Sequence, residues 1–259
     1  MILKYMCLIL FNYKNHDKYK LILAGNRDEF YERPTEKATW WGKDNHILSG
    51  RDTKSGGTWL GLTKDGKFIS VTNYRDPKDM KNDRRSRGEI TYNFLTCGYE
   101  VNTFAEKLAE TKREYNGYNL IFGDVDNIFY FSNKDGGFKK VTEGLHGLSN
   151  HYLDTPWKKV EKGKKLLSQI IKDKEISHGK LFRMLADDEK AADNELPSTG
   201  VPLDWERVLS PMFIKSESYG TRASTVLLID YDNNVSFTEK TFLPDGESST
   251  VKFEFKLDI

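Results

Sequence analysis

Cysteine is scarce in this chain: 259 residues hold two, Cys7 and Cys97, far apart. So few excludes a disulfide-stapled framework and points to a reducing compartment, the cytoplasm. Long apolar runs are missing too. The most apolar stretch, Met1 to Phe11, is interrupted by Lys4 and followed by Asn12, Tyr13 and Lys14. It falls short of the roughly 20 residues of a membrane span and has no small-residue cleavage site, so a buried strand is expected there. No charge of one sign prevails, because 40 Lys and Arg face 39 Asp and Glu for a formal net charge of +1. That balance argues against a general grip on nucleic acid or anionic membrane. The five histidines, His16, His46, His146, His151 and His178, lack HxxxH or HExxH spacing, so no metal site is expected. Internal repeats and low-complexity tracts are absent as well.

What is present is a densely charged, aromatic-rich chain, 31% and 13% respectively, as suits a folded, highly soluble protein. Leu8 to Phe11 and Leu21 to Ala24 flank the polar segment Tyr13 to Lys18, a hairpin signal. Thr58 to Thr63 and Lys67 to Tyr74 form another, joined through Asp65-Gly66, which supplies a positive-φ turn. Helical periodicity covers Ser86 to Cys97 and Val101 to Lys112. Strands return at Tyr118 to Gly123 and Ile128 to Ser132. Trp157 to Lys172, with Pro156 at its start, and Ser177 to Ala186 predict two more helices. Asp187 to Asp204, with Pro197, Gly200 and Pro202, is expected to be a loop. Strands follow at Ser224 to Ile229, Val235 to Phe242 and Val251 to Phe255. Strands, helices, strands, helices, strands in one domain (1–259) suit two antiparallel sheets with helices outside them, an α+β class.

Cys7 has two readings on local grounds: a small hydrophobe inside a buried strand, or a nucleophile. Asn26-Arg27-Asp28-Glu29 ends an apolar strand, either as a solvated loop or as a site on a sheet rim. A guanidinium beside a thiol would depress its pKa. Gly56-Gly57-Thr58-Trp59-Leu60-Gly61 permits close backbone approach to something flat, or simply a tight turn. Thr72-Asn73-Tyr74-Arg75 ends the next strand. Arg84-Arg85-Ser86-Arg87 is expected to be a solvated loop, and Lys158, Lys159, Lys162, Lys164 and Lys165 the wet face of an amphipathic helix. Cys97 is assigned a structural role. Of the histidines, His151 beside Asn150 is the one of interest.

Met6-Cys7-Leu8-Ile9, Asn26-Arg27-Asp28-Glu29, the Gly56 to Gly61 block and Thr72-Asn73-Tyr74-Arg75 resemble the signature blocks of the NRDE-motif family. It is also called the transport and Golgi organisation protein 2 family. Tyr118-Asn119-Leu120, Gly147-Leu148-Ser149-Asn150, Asp154-Thr155-Pro156-Trp157 and Tyr219-Gly220-Thr221-Arg222 extend the resemblance over nearly the whole chain. More distantly, the blocks are similar to choloylglycine hydrolases and penicillin V acylases. The resemblance implies the four-layer αββα sandwich of N-terminal-nucleophile hydrolases. It also implies catalytic roles for Cys7, Arg27, Asp28, Asn73, Asn150 and Arg222, with Trp59, Tyr74 and Trp157 walling a substrate cleft. In that chemistry a chain-terminal cysteine uses its own α-amine as base. Here residues 1–6 would first have to be removed, by cleavage or by a start at Met6. Two functions stay open: a cysteine amidohydrolase acting on a non-peptide C–N bond, or a non-enzymatic protein carrying haem, acyl-CoA or lipid.

Overall fold

The computed structural model describes residues 6–246 and 248–259. Of the segment expected to be removable, residues 1–5 lie outside the described residues. In chain order the strands and helices are β1 (Met6–Tyr13), β2 (Tyr19–Phe30), β3 (Thr35–Trp41), β4 (Ile47–Asp52), β5 (Leu60–Thr63), β6 (Lys67–Asn73), α1 (Gly88–Thr96) and α2 (Val101–Thr111). Then come β7 (Tyr118–Asp124), β8 (Asn127–Ser132), β9 (Phe138–Lys140), β10 (Gly144–Leu148), α3 (Lys158–Ile170) and α4 (His178–Leu185). The chain closes with α5 (Leu203–Val208), β11 (Tyr219–Asp230), β12 (Asn234–Phe242) and β13 (Ser248–Lys256). One six-stranded sheet has the order β10-β1-β2-β11-β12-β13, and a seven-stranded sheet runs β3 through β9 in sequence. Every pairing between these strands is antiparallel.

The side-chain period of two explains the layers. On β1, Leu8 and Leu10 join Ile22 and Ala24 of β2 under Val160 and Leu167 of α3 and Leu181 and Leu185 of α4. Ile9, Phe11 and Tyr13 face the other way, into the core shared with the second sheet. A strand buried on both faces is a continuous apolar run, which is why Leu8 to Phe11 does not alternate. On the far side, Phe94 of α1 and Phe104 of α2 pack against Phe122 of β7, with ring centroids 5.7 and 5.3 Å away. The result is an α+β fold in four layers: helices, two antiparallel sheets, helices. No helix among the described residues is long and apolar enough to cross a membrane.

Several boundaries differ from the sequence expectation. Asn26-Arg27-Asp28-Glu29 lies inside β2, fully in the ladder and buried, instead of beyond its end. Charged residues persist in this strand because partners on neighbouring elements meet them. The expected loop at 187–204 holds apart from one short 3-10 turn and its last two residues, which open α5 directly after Pro202, where fixed φ and a missing N–H are tolerated. β3, β4, β9 and β10 had no clear sequence signal, since charged, glycine-containing or very short segments hide their alternation.

β3 carries a bulge between Glu36 and Thr39, which takes the Ala38 N–H out of the ladder. Glu239 of β12 accepts that N–H at 2.7 Å and the Thr225 hydroxyl at 3.2 Å, joining the two sheets. Burial pushes its carboxyl up to about 7. Below the ordinary carboxylate range both folded and unfolded chains hold the proton. As pH rises towards 7 only the unfolded chain gives it up, so stability is lost across that interval. Denaturant melts between pH 4 and 8 should therefore show Glu239→Gln gaining on the wild type by up to a few kcal/mol. A pH-independent difference would contradict this account of Glu239.

Candidate functional site

Cys7 pairs with Arg27 across the β1–β2 ladder, and Arg27 with Ala223 on β11. Strand alternation then divides the buried motif. Arg27 and Glu29 point between the sheets, where Arg27 and Glu29 Oε2 approach to 3.6 Å. Asn26 points to the helices, its Nδ2 donating to the carbonyls of Leu185 (3.0 Å) and Met212 (2.7 Å). Asp28 accepts from the Thr221 hydroxyl at 2.6 Å.

Around the ends of β1, β2 and β6 lies a cavity of about 920 Å³ bordered by Cys7, Arg27, Asp28, Trp59 and Asn73. Arg27 stacks on Trp59, its guanidinium carbon 4.3 Å from the ring centre, and donates to Thr35 Oγ1 at 3.1 Å. Trp59 itself is held by Gly50: a Cβ there would come within 2.3 Å of the indole. At Gly57 a Cβ would meet the Gly88 backbone at 2.4 Å. The glycine of that block therefore admits the start of α1, not a ligand. Asp52 completes a four-charge cluster, 3.8 Å from Arg27 and 2.6 Å from Arg33. Burial pushes Glu29 up to about 7, with Arg27 partly offsetting it.

The other expected site residues are placed differently. Asn150 is wholly buried behind the cavity; its Nδ2 donates to the Asn73 carbonyl at 3.0 Å, which fixes that strand end. Its neighbour Ser149 lies within hydrogen-bonding distance of the Cys7 carbonyl, at 3.2 Å. Arg222 does not border the cavity. Its Nη1 donates to the carbonyls of Phe30, Tyr31 and Arg33 at 3.0–3.1 Å, clamping the turn after β2. Tyr74 and Trp157 also lie away from the cavity. Tyr74 bonds His151 Nε2 at 2.7 Å, and Trp157 stacks on Arg75 at 4.6 Å. β6 ends at Asn73, and Tyr74, the first residue beyond it, turns to His151 instead of the cavity.

Sequence reasoning passed over Glu29, Arg33 and Asp52, although the two-residue period joins Glu29 to Arg27. It also read Arg84, Arg85 and Arg87 as a solvated loop, whereas they edge the cavity mouth with Lys54 and Lys81. Lys159 is buried, not wet, and donates to the Leu209 carbonyl at 3.0 Å.

The thiol contradicts the expectation that arginine would activate it. Cys7 borders the cavity and is half-buried; burial, reinforced by repulsion from the Asp28 carboxylate, pushes the thiol up to about 12. The Asp28 N–H and Arg27 offset this only in part. Cys97 is exposed. Iodoacetamide at pH 7 should accordingly label Cys97 faster than Cys7, since thiolate is the reacting form. Asp28→Asn, by removing the repulsion, should accelerate Cys7 roughly tenfold, one pKa unit's worth of thiolate. Faster labelling of Cys7 in the wild type, measured by peptide mass spectrometry, would refute this electrostatic picture.

The sequence matches the family described as Transport and Golgi organisation 2 over residues 6–244. The Transport and Golgi organization protein 2 homolog of Homo sapiens is 36% identical over 275 residues, 97% of this chain and 99% of that protein. Its counterpart in Mus musculus is 35% identical over 275 residues with the same coverage. Among solved structures, a conjugated bile acid hydrolase from Clostridium perfringens is similar at 12% identity, covers 98% of either chain and has a TM-score of 0.46, too distant to bear on chemistry. By its sequence from residue 6 onward, this chain belongs to the Transport and Golgi organisation 2 family.

Proposed function

We propose that the protein is a cysteine-nucleophile hydrolase of the amidohydrolase type, acting on a C–N bond of a small anionic molecule. One observation carries this reading: Cys7, Arg27 and Asn73, far apart in sequence, border a single cavity with a basic mouth. Cys7 Sγ attacks the carbonyl, and the Asn73 side chain, without a hydrogen-bond partner among the described residues, donates to the developing oxyanion. Arg27, fixed on Trp59, holds the thiolate formed during attack, while Lys54, Lys81 and Arg84 at the mouth favour an anionic group on the substrate. Asn150 serves by fixing Asn73. Water then cleaves the thioester.

The thiol is protonated at rest, so the reaction needs a base. If residues 1–6 are removed, the freed amine of Cys7 can act; if they stay, a group of the site must. Intact-mass measurement of protein from its own host distinguishes the two.

The same high thiol pKa supports a second reading, a carrier that uses the cavity to hold haem, acyl-CoA or lipid without chemistry. A panel of N-acyl amino acids separates the readings. Hydrolysis lost in Cys7→Ala and reduced at least roughly tenfold in Arg27→Met is the expected result. No Cys7-dependent turnover, together with a saturable Soret shift at one equivalent of haem in both wild type and Cys7→Ala, would replace the enzyme with the carrier.

A further inference from the structure

The two sheets have four outer edges, and three of them are poorly suited to further pairing. β3 carries the bulge already described, β9 is three residues long, and β10 is five residues with two glycines. β13 is different: nine residues, all paired in register with β12, without proline, glycine or a bulge. Long regular edges are ordinarily blunted, because they offer a row of open N–H and C=O groups to another strand.

The ladder fixes which of those groups are open. The Leu257 N–H donates to the Asn233 carbonyl at 3.0 Å, one step beyond the Asn234–Lys256 pair. Hydrogen-bonded pairs alternate along an antiparallel ladder. Val251, Phe253 and Phe255 therefore bond to β12, while Thr250, Lys252, Glu254 and Lys256 turn their N–H and C=O groups outward. The side chains divide by the same period. Val251, Phe253 and Phe255 are half-buried against the core between the sheets, with the Trp40 ring centroid 6.3 Å from Phe253 and 4.8 Å from Phe255. The side chains of Thr250, Lys252, Glu254 and Lys256 are exposed, and Lys252 and Glu254 pair with each other at 2.7 Å.

We propose that β13 is a self-pairing edge: two copies of this chain join through it, antiparallel about Phe253, so that their six-stranded sheets become one. A copy of β13 fits this edge in few registers, because outward groups must face outward groups. With Lys252 opposite Lys252, or Glu254 opposite Glu254, like charges face each other and destabilise the pair. The register centred on Phe253 does the reverse. It sets each Lys252 across from Glu254 of the second copy and each Thr250 across from Lys256, all as hydrogen-bonded pairs. The two Phe253 residues form the non-hydrogen-bonded pair on the two-fold axis, where side chains come closest, and the half-buried aromatic edge is covered. Charge, hydrogen-bonding parity and the aromatic pair are thus satisfied by one two-fold operation, the self-complementarity that a second copy of the same chain supplies.

Sedimentation equilibrium on the full chain, over a concentration series into the high micromolar range, tests this. The wild type should approach about twice its 30.0 kDa chain mass. Lys252→Glu and Glu254→Lys each set like charges opposite one another and should weaken association at least roughly tenfold. Mixed in equal amounts, the two variants should associate again, because opposite signs then face each other. The chain carrying both Lys252→Glu and Glu254→Lys should dimerise for the same reason. Both side chains are exposed, so circular dichroism should be unchanged in every variant, which separates lost pairing from lost folding. A wild type that stays monomeric, or a dimer indifferent to both reversals, overturns the proposal. Variants that weaken association without rescuing each other overturn the register. Dimerisation that appears only after deletion of residues 1–5 makes that segment, not a second copy, the occupant of the edge.

Discussion

A guanidinium buried to 6% exposure between two β-sheets sets the terms for this end of the molecule. Arg27 is tolerable there only because each side of it is met by a different element: Trp59 before β5, Thr35 of β3, Asp52 of β4 and Glu29 on its own strand. Stacking on an indole suits a weakly hydrated planar cation in a way a lysine could not match. The carboxylates stand 3.6 and 3.8 Å off, so their attraction is electrostatic and not locked into one hydrogen bond. Arg27 thus ties the two sheets together where the apolar core gives way to the cavity. Without it, Glu29 and Asp52 would face one another across Arg33 alone.

The cavity brings Cys7, Arg27 and Asn73 together, but the thiol there is held in its protonated form. Three consecutive residues illustrate how economically the chain arranges that cavity. Asn73 borders the cavity, Tyr74 turns to His151, and Arg75 passes to Glu206 and Trp157. The end of β6 and the two residues after it therefore serve the cavity, an aromatic cluster and a buried ion pair. Tyr74 and Trp157 are therefore structural neighbours of the cavity, whose aromatic walls are Trp59, Phe30, Tyr31 and Trp205.

Much of this was legible in the sequence, and what was not has physical reasons. Apolar runs such as Leu8 to Phe11, and the Asp65-Gly66 turn with Gly66 at φ 81°, report local rules and were readable. The shared position of Cys7, Arg27, Asp28 and Asn73 came from resemblance; no periodicity brings β1, β2 and β6 together. Glu29 was within reach of the strand period, but only once the motif was placed inside β2 instead of after it. Lys159 was not within reach. Among Lys158, Lys162, Lys164 and Lys165 it looks like another solvated charge, and only the packing of α3 on the sheet separates it from them. Arg222 was assigned a catalytic role by resemblance, whereas its guanidinium, away from the cavity, holds backbone carbonyls.

That work has a consequence for affinity. Arg222 gathers the Phe30, Tyr31 and Arg33 carbonyls with one nitrogen, so the turn that borders the cavity is already fixed before any ligand arrives. The conformational entropy of ordering it is incurred during folding and does not recur on binding. A ligand meeting this wall gains from a surface that need not rearrange. A looser turn would have given the same contacts with less net binding free energy and a faster departure.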